Sequence, residues 1–113
     1  MRRTFVTKGW LLVFAFLYPV GVAGAQDAKK GEEVYAAQKC SVCHAIAGKG
    51  NKTNPLDGVG AKLSAAEIRG WIVNPVEMAA KTKSTKKPVM PAKYSNLPAP
   101  DLDALVAYMQ SLK

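Results

Sequence analysis

Imidazole and thiol are scarce in this chain, whose 113 residues hold one histidine and two cysteines. Two cysteines cannot lay out the multi-bridge framework of small disulfide-rich domains. One histidine leaves no second imidazole for acid–base work or for a paired metal bond within the chain. Strand signals are missing too. No run alternates apolar and polar residues long enough to argue a strand, which removes sandwiches, barrels and parallel sheets and leaves an all-α fold. Nothing repeats at a fixed period, so a solenoid is excluded. Beyond residue 25 Leu, Ile, Val and Phe are sparse, and a core built from side chains alone would be thin. Chains of this size lean on a disulfide, metal or cofactor to complete the core.

The first 25 residues read as a secretory signal. Arg2, Arg3 and Lys8 precede an apolar run from Trp10 to Ala23, and Ala23-Gly24-Ala25 supplies the small residues of a cleavage site. The run is shorter than the roughly 20 residues a bilayer needs, and Pro19 interrupts it, so no stable membrane span is expected. Cleavage after Ala25 would leave one domain, residues 26–113, with thirteen basic and eight acidic side chains and a net charge of +5.

The pattern predicts a first helix from about Ala28, capped by Asp27, with Val34 and Tyr35 facing inward. Residues 50–60 are rich in Asn, Gly and Pro and read as loop. Ser64 and Glu67 form an S-x-x-E capping box with Leu63 and Ile68 as a hydrophobic staple, and that helix stops near Asn74 because Pro75 follows. A short helical turn can start at Pro75. Residues 81–100 carry five lysines and four prolines without an apolar period and read as a long loop, a feature that in compact domains usually serves a site. Leu102, Leu105, Val106, Met109 and Leu112 mark one face of a terminal helix.

Both cysteines and the histidine fall within five consecutive positions, Cys40-Ser41-Val42-Cys43-His44. The C-x-x-C-H form is the attachment signature for c-type haem. Two thiols about one helical turn apart reach the two vinyl-bearing edges of a porphyrin, and the next residue places an imidazole under the ring. A structural zinc site wants four protein ligands. A thioredoxin-like pair wants a β-α-β setting, and a disulfide across so short a loop removes little unfolded-state entropy. Covalent haem attachment needs accessible, reduced cysteines outside the cytoplasm, which agrees with export of an unfolded chain to the periplasm.

With His44 the only histidine, the sixth iron ligand is methionine, lysine, water or nothing. Met109 belongs to the apolar face of the last helix. Met78 lies just beyond Asn74-Pro75 and can serve as a gap-filling core residue. Met90 sits in the long loop between Pro88 and Pro91, which limit the entropy lost when the loop closes over a metal, so Met90 is favoured.

These residues, in this order, resemble a class I cytochrome c, the small mono-haem bacterial kind, over nearly all of residues 27–113. Gly31 and Tyr35 resemble the glycine and aromatic of the family's first helix, and Leu105 and Tyr108 the last-helix pair they meet. C-x-x-C-H, Pro55-Leu56, Trp71, Asn74-Pro75 and Met90-Pro91 follow. The resemblance implies three to four helices wrapped around one covalently bound haem c, held by Cys40 and Cys43, with His44 and Met90 on its iron. It implies that the Pro55 carbonyl accepts a hydrogen bond from the His44 ring and that Leu56, Trp71, Ile72 and Asn74 belong to the haem pocket. Two departures stand out. Five positions rather than four separate Tyr35 from Cys40, and the stretch AAKTKSTKK before Met90 reads as an insertion.

A His/Met site has no open position, so the expected function is one-electron transfer rather than catalysis. The alternative is a haem enzyme or a gas or peroxide sensor in which Met90 does not bind. Lys81, Lys83, Lys86, Lys87 and Lys93 flank Met90 and would steer a monomer to redox proteins with acidic docking surfaces. A quinol:cytochrome c reductase, a terminal oxidase or a periplasmic dehydrogenase would fit. Nucleic acid would not, because no aromatic-basic platform appears.

Overall fold

The computed structural model describes residues 23–113, with side chains from Asp27 onward. The expected signal, residues 1–25, lies almost wholly outside the described residues. Helix α1 (Ala23–Ala37) runs into a 3₁₀ turn at Cys40–Val42. A two-residue antiparallel pair follows, β1 (Ala45–Ile46) with β2 (Lys49–Gly50). Then come α2 (Val59–Lys62), α3 (Ala65–Val73), α4 (Pro75–Lys81), a second 3₁₀ turn at Ala92–Asn96, and α5 (Ala99–Ser111). The fold is all-α, as expected, with five α-helices among the described residues where three to four were anticipated. No helix among them is long and apolar enough to cross a membrane.

The frame is the crossing of α1 and α5. Gly31 is buried at the crossing, and a Cβ there would overlap the Ala104 carbonyl oxygen and crowd the Tyr108 Cβ. Glycine therefore lets the two backbones touch. One turn further on, the Tyr35 and Tyr108 rings meet edge to face, centroids 5.8 Å apart and planes at 70°, a favoured aromatic geometry. Val34, Leu102, Leu105, Val106 and Met109 fill the core behind them together with Ile68 and Ile72 of α3. The inward positions read from the sequence on α1 and α5 are buried, except Leu112, which is half-buried just past the end of α5.

Local chemistry explains most element ends. Ser64 Oγ accepts from the Glu67 N–H at 3.2 Å, and Glu67 Oε1 accepts from the Ser64 N–H at 3.1 Å, so the capping box starts α3. The same backbone hydrogen bond holds the Glu67 carboxyl below its usual range. Leu63 packs against the cluster that contains Ile68. Asn74 closes α3 with its N–H on the Gly70 carbonyl and opens α4, where Pro75 occupies the first position. Proline costs nothing there, since that N–H has no helical partner.

Three starts differ from the pattern. Helix α1 begins at Ala23, because Ala23 to Gln26 extend it upstream of Asp27, which is then an internal residue. Helix α5 begins at Ala99 rather than near Leu102, since Pro98 and Pro100 sit at its cap and first turn, where proline is tolerated. Part of the expected loop 50–60 is the single helical turn α2. Between Tyr35 and Cys40, Lys39 turns the chain from α1 into the 3₁₀ turn with a left-handed φ of 55°.

Candidate functional site

The 3₁₀ turn places the motif. The Cys43 and His44 N–H groups both donate to the Cys40 carbonyl, at 3.1 and 3.0 Å. Residues three apart eclipse in such a turn, so Cys40 and Cys43 lie on one side. Both thiols are free, Cys40 half-buried and Cys43 exposed. Burial pushes the Cys40 thiol up from its ordinary pKa, with Lys93 opposing the shift.

His44 is oriented by the segment that follows. Ala45, almost fully buried, bridges to Pro55, donates to the Asn54 carbonyl at 3.3 Å and accepts from the Leu56 N–H at 2.8 Å. The same Asn54 carbonyl lies 3.0 Å from His44 Nδ1. With Nδ1–H donating there, Nε2 keeps its lone pair for a metal. On the other side Asn51 donates from its backbone to the His44 carbonyl at 3.0 Å. Gly50, at φ 105°, lies so close to that carbonyl that a Cβ would overlap it.

A cavity of about 1090 Å³ opens beside the motif, at the upper end of the sizes that take a large organic ligand. Cys40, Cys43 and His44 form part of its wall, and Met90 another part. Leu56, Ile68, Trp71, Ile72 and Leu105 supply apolar surface. Lys39, Lys86, Lys87 and Lys93 also line it. Met109 also lines it while standing buried in the core. Met78 does not, since its thioether lies against Gly70 of α3.

Two expected pocket residues are elsewhere. Pro55 is exposed and off the wall, and the hydrogen bond expected at its carbonyl is made one residue earlier, by Asn54. The parallel bridge of Ala45 to Pro55 fixes that register. Asn74 is exposed at the α3–α4 junction, where its side-chain amide donates to the Glu77 carboxylate. That bond to Glu77 points its side chain along the start of α4, and Asn74 does not line the cavity. Sequence reasoning missed Tyr94, which is buried, lines the cavity and carries the Lys93 ammonium 5.2 Å from its ring centroid. Its signal was weak, an aromatic alone in a proline-rich stretch. Tyr35 also reaches the cavity wall, and its buried hydroxyl has no hydrogen-bond partner among the described residues.

The donor set suits a covalently held haem: two free thiols on one side of a turn, an imidazole with one nitrogen anchored, and a large, mostly apolar cavity beside them. Among the described residues no three Cys, His, Asp or Glu side chains gather as an ion-binding cluster, so the zinc alternative has no fourth ligand to call on. Fold and site together define a small helical haem-binding protein. The family model for cytochrome c matches residues 28–113, and the chain belongs to that family, whose members bind haem c covalently and typically carry electrons. No curated protein and no solved structure matches the chain.

Proposed function

We propose that this protein is an exported, mono-haem electron carrier of the class I kind, in which Cys40 and Cys43 hold the haem by thioether bonds and His44 and Met90 are its axial ligands. The supporting observation is that His44 and Met90 both stand on the wall of one cavity, while Met78 packs on Gly70 and Met109 belongs to the core. Bound there, the haem supplies one-electron Fe(III)/Fe(II) chemistry at a relatively high potential, as a thioether ligand and low-dielectric surroundings favour. The chain's own residues do the rest. Asn54 holds the His44 ring in one tautomer, Leu56, Ile68, Trp71 and Ile72 keep water from the cavity, and Met90 fills the position that an oxygen- or peroxide-handling site needs open.

The same reading gives the chain a cleaved signal at residues 1–25, a periplasmic site of work and acidic redox partners met through the lysines around Met90. Haem should remain on the purified protein after denaturation and acid–organic extraction, one per chain. Met90→Ala should abolish the weak near-infrared sulfur-to-iron charge-transfer band of the oxidised protein and lower its potential. A band that survives in Met90→Ala would assign the sixth ligand elsewhere and remove the main support for a closed, non-catalytic site.

A further inference from the structure

We propose that Lys86 is a positioning residue that ties the segment carrying Met90 to the segment that anchors His44, and so guards the thioether against displacement. The inference rests on the His44/Met90 ligation above. Lys86 Nζ donates to Asn54 Oδ1 at 3.2 Å, across 32 positions of sequence. The main-chain carbonyl of the same Asn54 takes the His44 Nδ1 hydrogen bond at 3.0 Å. One residue is thereby bonded through its backbone to the proximal imidazole and through its side chain to the distal segment.

The distal segment needs such a tie. Residues 85–91 contain no helix or strand, and among the described residues Lys86–Asn54 is the one hydrogen bond joining them to a distant part of the chain. Lys86 lies four positions before Met90. Replacement of the thioether by an incoming ligand through a swing of this segment would break the Lys86–Asn54 bond. The tie thus stabilises the closed arrangement alone. Lys87 provides an internal comparison, since it lines the same cavity with the same charge and makes no side-chain hydrogen bond among the described residues.

The test is an imidazole titration of the oxidised holoprotein, followed by loss of the near-infrared band. Lys86→Leu should tighten imidazole binding about fivefold, the scale of one exposed charge-assisted hydrogen bond. Lys87→Leu should leave it within about twofold of wild type, as a surface charge without that bond. Lys86→Arg, which can still donate to Asn54, should restore wild-type behaviour. Asn54→Ala keeps the backbone carbonyl for His44 and should match Lys86→Leu, and the double variant should show no further gain, the non-additivity of one shared interaction. Equal effects of Lys86→Leu and Lys87→Leu, or additive effects in the double variant, would mean that charge alone acts and would overturn the proposal while leaving the ligation intact. If Met90→Ala itself left both the band and the titration unchanged, the ligation reading would fall and this inference with it.

Discussion

Met78 and Met90 are twelve residues apart in a chain poor in soft ligands, and their surroundings separate them. Met78 is half-buried on α4 with its sulfur against Gly70, a position where a flexible thioether fills a gap. Met78→Ala should therefore leave the near-infrared band, potential and imidazole affinity close to wild type. Its cost should be packing alone, about 1–2 kcal/mol for a side chain only partly removed from water, read from thermal or denaturant unfolding of the holoprotein. Loss of the band in this variant would reverse the ligand assignment. At this scale the sequence was informative where side chains fall in a tight motif, and the structure brings Cys40, Cys43 and His44 to one cavity wall as that motif implies. The sequence was uninformative where a backbone atom acts. The acceptor for His44 is a carbonyl, which every residue owns, so only the bridge of Ala45 to Pro55 distinguishes Asn54 from its neighbour.

The crossing of α1 and α5 depends on one absent methyl group. Gly31→Ala sets two effects against each other. Alanine favours a helix interior over glycine by about 1 kcal/mol, whereas overpacking of a tight contact costs about 1–3 kcal/mol. The atom in the way is the Ala104 carbonyl oxygen, which belongs to the backbone of α5 and cannot rotate aside. Packing should win, giving a net loss of up to about 2 kcal/mol in holoprotein unfolding; a more stable variant would show that the helices can part without cost. Element ends were legible where they use side chains, as in the Ser64/Glu67 box, and where apolar period is regular, as in Leu102 to Met109. The start of α5 was misplaced because Pro98 and Pro100 look like loop until they occupy its cap and first turn, whereas the Asn74-Pro75 junction was legible, with Asn74 capping the end of α3 and the start of α4.

On the scale of the whole molecule, charge is distributed unevenly. Asp27, Glu32, Glu33, Asp101 and Asp103 stand on α1 and α5, while Lys81, Lys83, Lys86, Lys87 and Lys93 are exposed along the stretch that leads to and follows Met90. A net charge of +5 on the expected mature chain would by itself attract anions from all directions. What distinguishes steering toward the cavity is that the effect of a lysine depends on its place. Oxidation of the reduced protein by ferricyanide, an anionic oxidant, should slow as salt rises, because exposed charges are screened beyond about 8–10 Å near physiological ionic strength. With a cationic cobalt complex the dependence should reverse. Lys87→Glu combined with Lys93→Glu, both on the cavity wall, should flatten both curves and lower the low-salt rate with ferricyanide about tenfold, at the lower end of what electrostatic focusing supplies. Lys29→Glu combined with Lys62→Glu changes the net charge equally, but these exposed residues on α1 and α2 lie off the cavity wall. That pair should keep most of the wild-type salt dependence. Equal losses in the two double variants would show that only total charge matters, and the lysines around Met90 would then be an ordinary solvated surface.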